Sequence, residues 1–106
     1  MKFEVQCWDY TGSFECDCDP DSDEFINDMG PFISKMEETY GTLDWGGQCT
    51  PEGVPTVVDW NAAELDMICE EEDCSLIIKI AELTQLIYEH LGERYNVSNL
   101  QVIRDA

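Results

Sequence analysis

Hydrophobic and polar residues alternate with a period of two at the start of the chain. Phe3, Val5 and Cys7 interleave with Glu4, Gln6 and Trp8, and beyond Thr11-Gly12 a second run sets Phe14, Cys16 and Cys18 between Glu15, Asp17 and Asp19. Such alternation marks half-buried strands. A two- or four-residue loop centred on Thr11-Gly12 predicts a β-hairpin in which Cys7 lies opposite Cys16 and Val5 opposite Cys18. One side then faces a core. The other presents Glu4, Glu15, Asp17 and Asp19 with Trp8 and Tyr10 beside them, and because same-face residues of a strand lie ~6.8 Å apart, the carboxylates stand in rows.

From Asp21 the period lengthens to that of a helix. Asp21 as N-cap and Glu24 three residues on make a capping box. Phe25, Met29, Phe32, Ile33, Met36 and Tyr40 keep helical spacing through Gly30-Pro31, which predicts one kinked helix or two short coaxial ones ending at Gly41. Gly41 to Pro55, with four Gly and two Pro, reads as loop. Thr56-Val57-Val58 predicts a short buried strand, and Asp59 caps a helix from Trp60 to about Cys69. Glu70-Glu71-Glu72-Asp73 closes that helix at the end where the macrodipole prefers cations. A longer helix, Ser75 to about Tyr95, carries Leu76, Ile80, Leu83, Ile87 and Leu91 along one side, widened by Ile77, Thr84 and Tyr88. So broad an apolar face fits either the central core helix or a homodimer contact. Asn96 suits its C-cap, and Leu100-Gln101-Val102-Ile103 a last strand. The expected fold is a single α+β domain over residues 1–106, an N-terminal β-hairpin in a small antiparallel sheet packed against about three helices.

Charge changes the picture more than any motif does. The chain holds 24 Asp and Glu against five Lys and Arg and one His, a net −19 over 106 residues. Solubility asks only for a magnitude of about 2 to 8, and the excess costs folding energy through self-repulsion. Its distribution is uneven: residues 1–44 sum to −10, 45–76 to −8 and 77–106 to −1. Halophilic adaptation would acidify the surface throughout, which the near-neutral last third does not fit. An apolar content of 43% and 10% aromatic residues are those of a folding chain. Anionic membrane surfaces and nucleic-acid phosphates both repel such a protein, so neither is an expected partner. No apolar run approaches the ~18 residues of a membrane span, and the first residues carry no signal-peptide core, so a cytoplasmic location is expected.

Chemistry-bearing patterns are sparse. Cys7, Cys16, Cys18, Cys49, Cys69 and Cys74 lack the paired C-x2-C spacing of a zinc site, so no metal is expected and the thiols read as small buried apolar side chains. Asp17-x-Asp19-x-Asp21-x-Asp23 resembles the start of a calcium loop but has Ser22 where the turn needs Gly and Asp28 where a bidentate Glu belongs. His90, the lone imidazole, sits near a helix end that favours a cation. No phosphate loop, nucleophile elbow or metalloprotease pair occurs, and no catalysis or cofactor is expected.

What remains is the acidic surface. Glu4, Glu15, Asp17, Asp19, Asp21, Asp23 and Glu24 form one expected patch, Glu70, Glu71, Glu72 and Asp73 a second, with Trp8, Tyr10 and Trp45 as candidate anchors. In charge, size and lack of catalytic motifs the chain resembles the acidic DNA-mimic inhibitors that phages and mobile elements direct against restriction and CRISPR systems. That resemblance implies a basic nucleic-acid-binding partner, a nuclease or CRISPR effector. The chain also resembles immunity proteins, which are small, acidic and neutralise basic nuclease toxins.

Overall fold

The computed structural model describes residues 2–19, 22–45 and 57–104. Strands β1 (Lys2–Cys7) and β2 (Tyr10–Cys16) lead into helix α1 (Asp23–Tyr40), followed by β3 (Leu43–Trp45), β4 (Val57–Trp60), α2 (Ala62–Glu72), α3 (Leu76–Gly92) and β5 (Val97–Arg104). The five strands form one sheet in the order β3-β4-β1-β2-β5. β2 pairs antiparallel with β1 on one side and β5 on the other. The chain thus adopts the expected α+β fold, a hairpin within an antiparallel sheet and three helices. β4, parallel to β1, and β3, antiparallel to β4, extend that sheet into a mixed one.

The hairpin closes three residues earlier than the sequence pattern suggests. Its loop is Trp8-Asp9, and Phe3 pairs with Phe14, Val5 with Gly12 and Cys7 with Tyr10, so neither Cys7–Cys16 nor Val5–Cys18 is a cross-strand pair. Trp8 takes φ +53°, the left-handed backbone that two-residue hairpin loops demand. Two contacts favour this register. Phe3 and Phe14 stack with centroids 5.2 Å apart, and Gly12 comes to lie beneath α3, where a Cβ would stand 1.9 Å from Thr84 Oγ1. Gly12 therefore serves as the point at which the central helix touches the sheet. Thr84 meets its own hydrogen-bonding need by donating to the Ile80 carbonyl at 2.7 Å.

One apolar layer holds sheet and helices together. Phe3, Val5, Phe14 and Val58 from the sheet meet Phe25 and Met29 of α1, Leu65 of α2, and Ile80, Leu83, Ile87 and Leu91 of α3, all essentially inaccessible to water. The broad stripe of α3 packs into this core except at Ile77, which is exposed. Burial of each such side chain contributes roughly 1.5–3 kcal/mol against chain entropy and charge repulsion. The other face of the sheet is mostly polar: Lys2, Glu4, Gln6, Thr11, Glu15 and Gln101 surround a buried Ser13, whose hydroxyl accepts from Gln101 Nε2 at 3.4 Å, and Ile103, paired with Thr11, is exposed there.

Local signals set the element ends. Ser22, in place of Asp21, caps α1 by accepting from the Phe25 amide at 3.1 Å; Asp21 lies outside the described residues, as do Cys49 and Thr56. α1 runs uninterrupted through Gly30 and Pro31, both on its solvent side, and ends at Gly41, φ +91°. Asn61 caps α2 by accepting from the Glu64 amide at 3.2 Å, while Asp59, expected as the cap, belongs to β4. The polar residue nearest the turn of the chain wins each cap. α3 stops at Gly92, so Asn96 is no C-cap but the entry to β5.

Replacing Gly12 with Ala is expected to destabilise the protein by about 1–3 kcal/mol through overpacking against Thr84. Thr84→Ala in the same chain should restore part of the loss, because two of the three clashing atoms go with the side chain. Denaturant unfolding of the two variants measures this, and an unchanged Gly12→Ala midpoint would show that α3 does not bear on β2 at that point.

Candidate interaction surface

Two groups of carboxylates stand at the ends of the helical layer. α1 and α3 run antiparallel, since His90 meets Asp28 and Phe32 near one end while Lys79 meets Tyr40 near the other. An 18-residue helix is ~27 Å long, which sets the separation of the two poles.

The first pole surrounds the start of α1 and the end of α3. Asp23 and Glu24 occupy the first turn of α1, where the macrodipole favours anions. Arg94 reaches Glu24 and Asp28, each at 3.6 Å. His90 Nε2 lies 2.9 Å from Asp28 Oδ2, and its ring stacks on Phe32 with centroids 3.9 Å apart. The imidazole thus ties two helices together. Tyr95 lies beside them, its hydroxyl buried without a hydrogen-bond partner among the described residues. Burial first, then the negative charge of Glu24, pushes its phenol above the ordinary value.

Asp17 has a different task. Its carboxylate accepts from the Asn96 amide and from Asn96 Nδ2, both at 2.8 Å, while its own amide donates to the Asn96 carbonyl at 3.0 Å. The exit of β2 is thereby pinned to the entry of β5. Asp19 contributes its carbonyl, which accepts from the Ser22 amide and hydroxyl ahead of α1. Neither residue continues the expected strand row, because β2 ends at Cys16.

The second pole is built where three helix ends converge. Glu70, Glu71 and Glu72 form the last turn of α2, and Asp73 follows as a left-handed C-cap at φ +54°, its amide donating to Cys69 and Glu70 carbonyls. All four side chains are exposed, and no basic residue lies in the last turn of either α1 or α2. Lys79 of α3 supplies the missing cation. Only 4% exposed, it bonds Glu72 and, at 3.0 Å, Glu82, and its ammonium sits 5.5 Å from the centre of the Tyr40 ring.

The remaining expected residues fall elsewhere. Glu4 and Glu15 lie on the open sheet face with Lys2, which pairs with Glu4 at 3.7 Å. That face is mixed in charge. Tyr10 turns to the opposite side, packs against the core and carries Arg104 at 6.0 Å from its ring. Trp8, at the hairpin tip, is 70% exposed. Trp45 occupies β3 opposite Val58 in register. The expected single hairpin patch is therefore divided between the sheet face and the first pole.

Four of the five described thiols are buried, as their residue type suggests. Cys7, Cys16, Cys18 and Cys69 are buried and Cys74 half-buried. Burial, reinforced by Cys16, pushes Cys18 up to about 12, and burial reinforced by Cys74 pushes Cys69 up to about 11. Neither is a nucleophile at neutral pH. Among the described residues no group of three or more His, Cys, Asp or Glu is arranged to hold a metal ion. No helix among them is long and apolar enough to cross a membrane. The chain matches no protein-family model, no curated protein and no solved structure.

Lys79 was the feature hardest to see in the sequence, although Lys79, Leu83 and Ile87 recur every four residues and so place a cation on the core stripe. The Asp28–His90 and Asp17–Asn96 pairs span 62 and 79 residues and leave no local trace.

Stability should fall on the alkaline side. A thiol held above its ordinary value of 9.0 retains its proton more tightly when folded, so the stabilisation is fully present below pH 9 and lost as pH rises through about 11 to 12. Lys79, raised chiefly by its bond to Glu72 against the opposing effect of burial, adds a loss that starts above 10.5. Unfolding free energy measured from pH 7 to 11 is expected to be level to pH 9 and then to decline, less steeply in Cys18→Ala. A level profile to pH 11 in both chains would contradict the burial of these protons.

Proposed function

We propose that this chain is a small acidic inhibitor that mimics nucleic acid and occupies the phosphate-binding channel of a basic nucleic-acid-binding protein, a nuclease or a CRISPR effector, in the cytoplasm. It acts stoichiometrically, without catalysis. The observation that carries the reading is the second pole: Glu70, Glu71 and Asp73 stand exposed and without an ion pair among the described residues at a helix C-terminus, where acids are least favourable, and Lys79 reaches only Glu72 of the four. A charge arrangement kept against its own stability has its use outside the molecule.

Geometry is consistent with the proposal. Glu70, Glu71, Asp73, Asp23 and Glu38 make no ion pair among the described residues, so their charge is available to a partner. The carboxylates sit on helices and caps, which hold them in fixed relation. Poles ~27 Å apart match about eight steps of duplex at ~3.4 Å per step along a strand. Attraction between such a surface and a cationic channel raises association rates by roughly 10 to 10³ and fades with salt.

The test reverses Glu70 and Glu71 to Lys, residues that support no other element. Displacement of labelled DNA from a panel of basic nucleases and CRISPR effectors is measured at low and high salt. The wild-type chain is expected to displace DNA from at least one of them, less well as salt rises. The double variant should bind that target about tenfold or more weakly while gaining about 1 kcal/mol of stability from cations at the α2 C-terminus. Failure to displace DNA from any of them, or a variant as potent as the wild type, rejects the proposal. Binding that leaves DNA affinity intact points instead to the immunity-protein class.

A further inference from the structure

One stretch of the acidic surface has an apolar floor. Ile78, Glu82, Gln85, Leu86 and Glu89 recur along α3 at spacings of three and four residues or their sums, and therefore share one stripe of the helix. The stripe passes Tyr40 at the end of α1, and a groove of about 310 Å³ is lined by Tyr40, Glu82, Gln85, Leu86 and Glu89. Leu86 is 38% exposed and Ile78 51%, although every other residue type on this stripe is polar. Its rim is held in place: Glu82 bonds Lys79, and Glu89 accepts from Gln85 Nε2 at 3.0 Å. Leu86 thus offers a partner apolar contact inside a groove whose rim carries ordered carboxylates.

We propose that this groove docks a basic segment of the target protein, in which an apolar side chain enters between Tyr40 and Leu86 while flanking Lys or Arg residues meet Glu82 and Glu89. The inference rests on the inhibitor reading above and adds a second part of the partner, distinct from its phosphate channel. Charge selects this occupant. A second copy related by a two-fold axis would bring Glu82 and Glu89 of both chains together, on a molecule of net charge −19. From Ile78 to Glu89 the stripe covers ~16 Å, the length of about five extended residues. Apolar contact supplies what surface ion pairs in water do not, since each of those contributes only about 0–1 kcal/mol.

The full chain, labelled with ¹⁵N, is titrated with two synthetic peptides of equal length and charge, one alternating Lys with Leu and the other Lys with Ser. The Lys/Leu peptide is expected to bind about tenfold more tightly, to shift the amide resonances of Tyr40 and of residues 82–89, and to lose that advantage in Leu86→Ser and in Ile78→Ser. Both side chains are exposed, and an otherwise unchanged spectrum verifies that each variant is folded. Equal affinities for the two peptides, shifts confined to Glu70–Asp73, or unaltered Lys/Leu binding in both variants overturns the proposal. So does a dimer in sedimentation that Leu86→Ser dissociates. DNA displacement by the wild-type chain is read separately: displacement without peptide preference sinks the groove alone, whereas no displacement of DNA from any target sinks the inhibitor reading itself.

Discussion

A single buried ammonium group stands where three helix ends meet, and the acidic surface is arranged around it. Lys79 bonds Glu72 of α2 and Glu82 of its own helix and rests on Tyr40 of α1. The C-termini of α1 and α2 carry partial negative charge and no basic residue. Without a cation between them, their approach would be opposed both by the helix dipoles and by the carboxylates they bear. Because the two glutamates remain half in water while the ammonium does not, the pairing offsets desolvation of one charge rather than two.

This arrangement separates the work of folding from the work of the surface. The near-neutral last third of the chain forms α3 and β5, and α3 buries four aliphatic side chains against β1, β2 and the other helices. Two groups of acids stand at the ends of α1 and at the end of α2, while others line α3 and the open face of the sheet. At the first pole Arg94 pairs with Asp28 as Lys79 pairs with Glu72, and His90 bonds the same carboxylate. Among the described residues Lys2, Lys79, His90 and Arg94 bond carboxylates, and Arg104 lies over the ring of Tyr10. Among the described residues most carboxylates make no ion pair.

Much of the fold is legible in the pattern of residues, and the failures share one cause. The alternation of Phe3, Val5 and Cys7 and of Phe14 and Cys16 identifies both hairpin strands and their buried face, because burial on one side imposes period two. The 3.6-residue stripes of α1 and α3 are equally plain, and the cap at Gly41 follows from the freedom of glycine at positive φ. Thr11-Gly12, by contrast, looks like a turn only when the chain is read locally. The register was decided by a distant partner, Thr84, which needs a residue without a side chain opposite it. Asp17 fails in the same manner, as a surface acid by composition whose oxygens are committed to Asn96. For the interaction surface, the Glu70–Asp73 patch was visible as a run of charge, whereas its counter-ion, its neighbours and the groove beside Leu86 depend on helix packing.

Charge held at a cost to stability is the thread that joins these observations, and the cost is measurable at Lys79. Unfolding of the wild type and of Lys79→Met in ~10 mM and ~1 M salt, where the Debye length falls from ~30 to ~3 Å, tests it most directly. The variant is expected to be about 1–2 kcal/mol less stable at low salt, with the deficit at least halved at high salt as screening replaces the missing cation. A Lys79→Met chain as stable as the wild type at low salt, or a deficit that salt leaves untouched, would contradict the account.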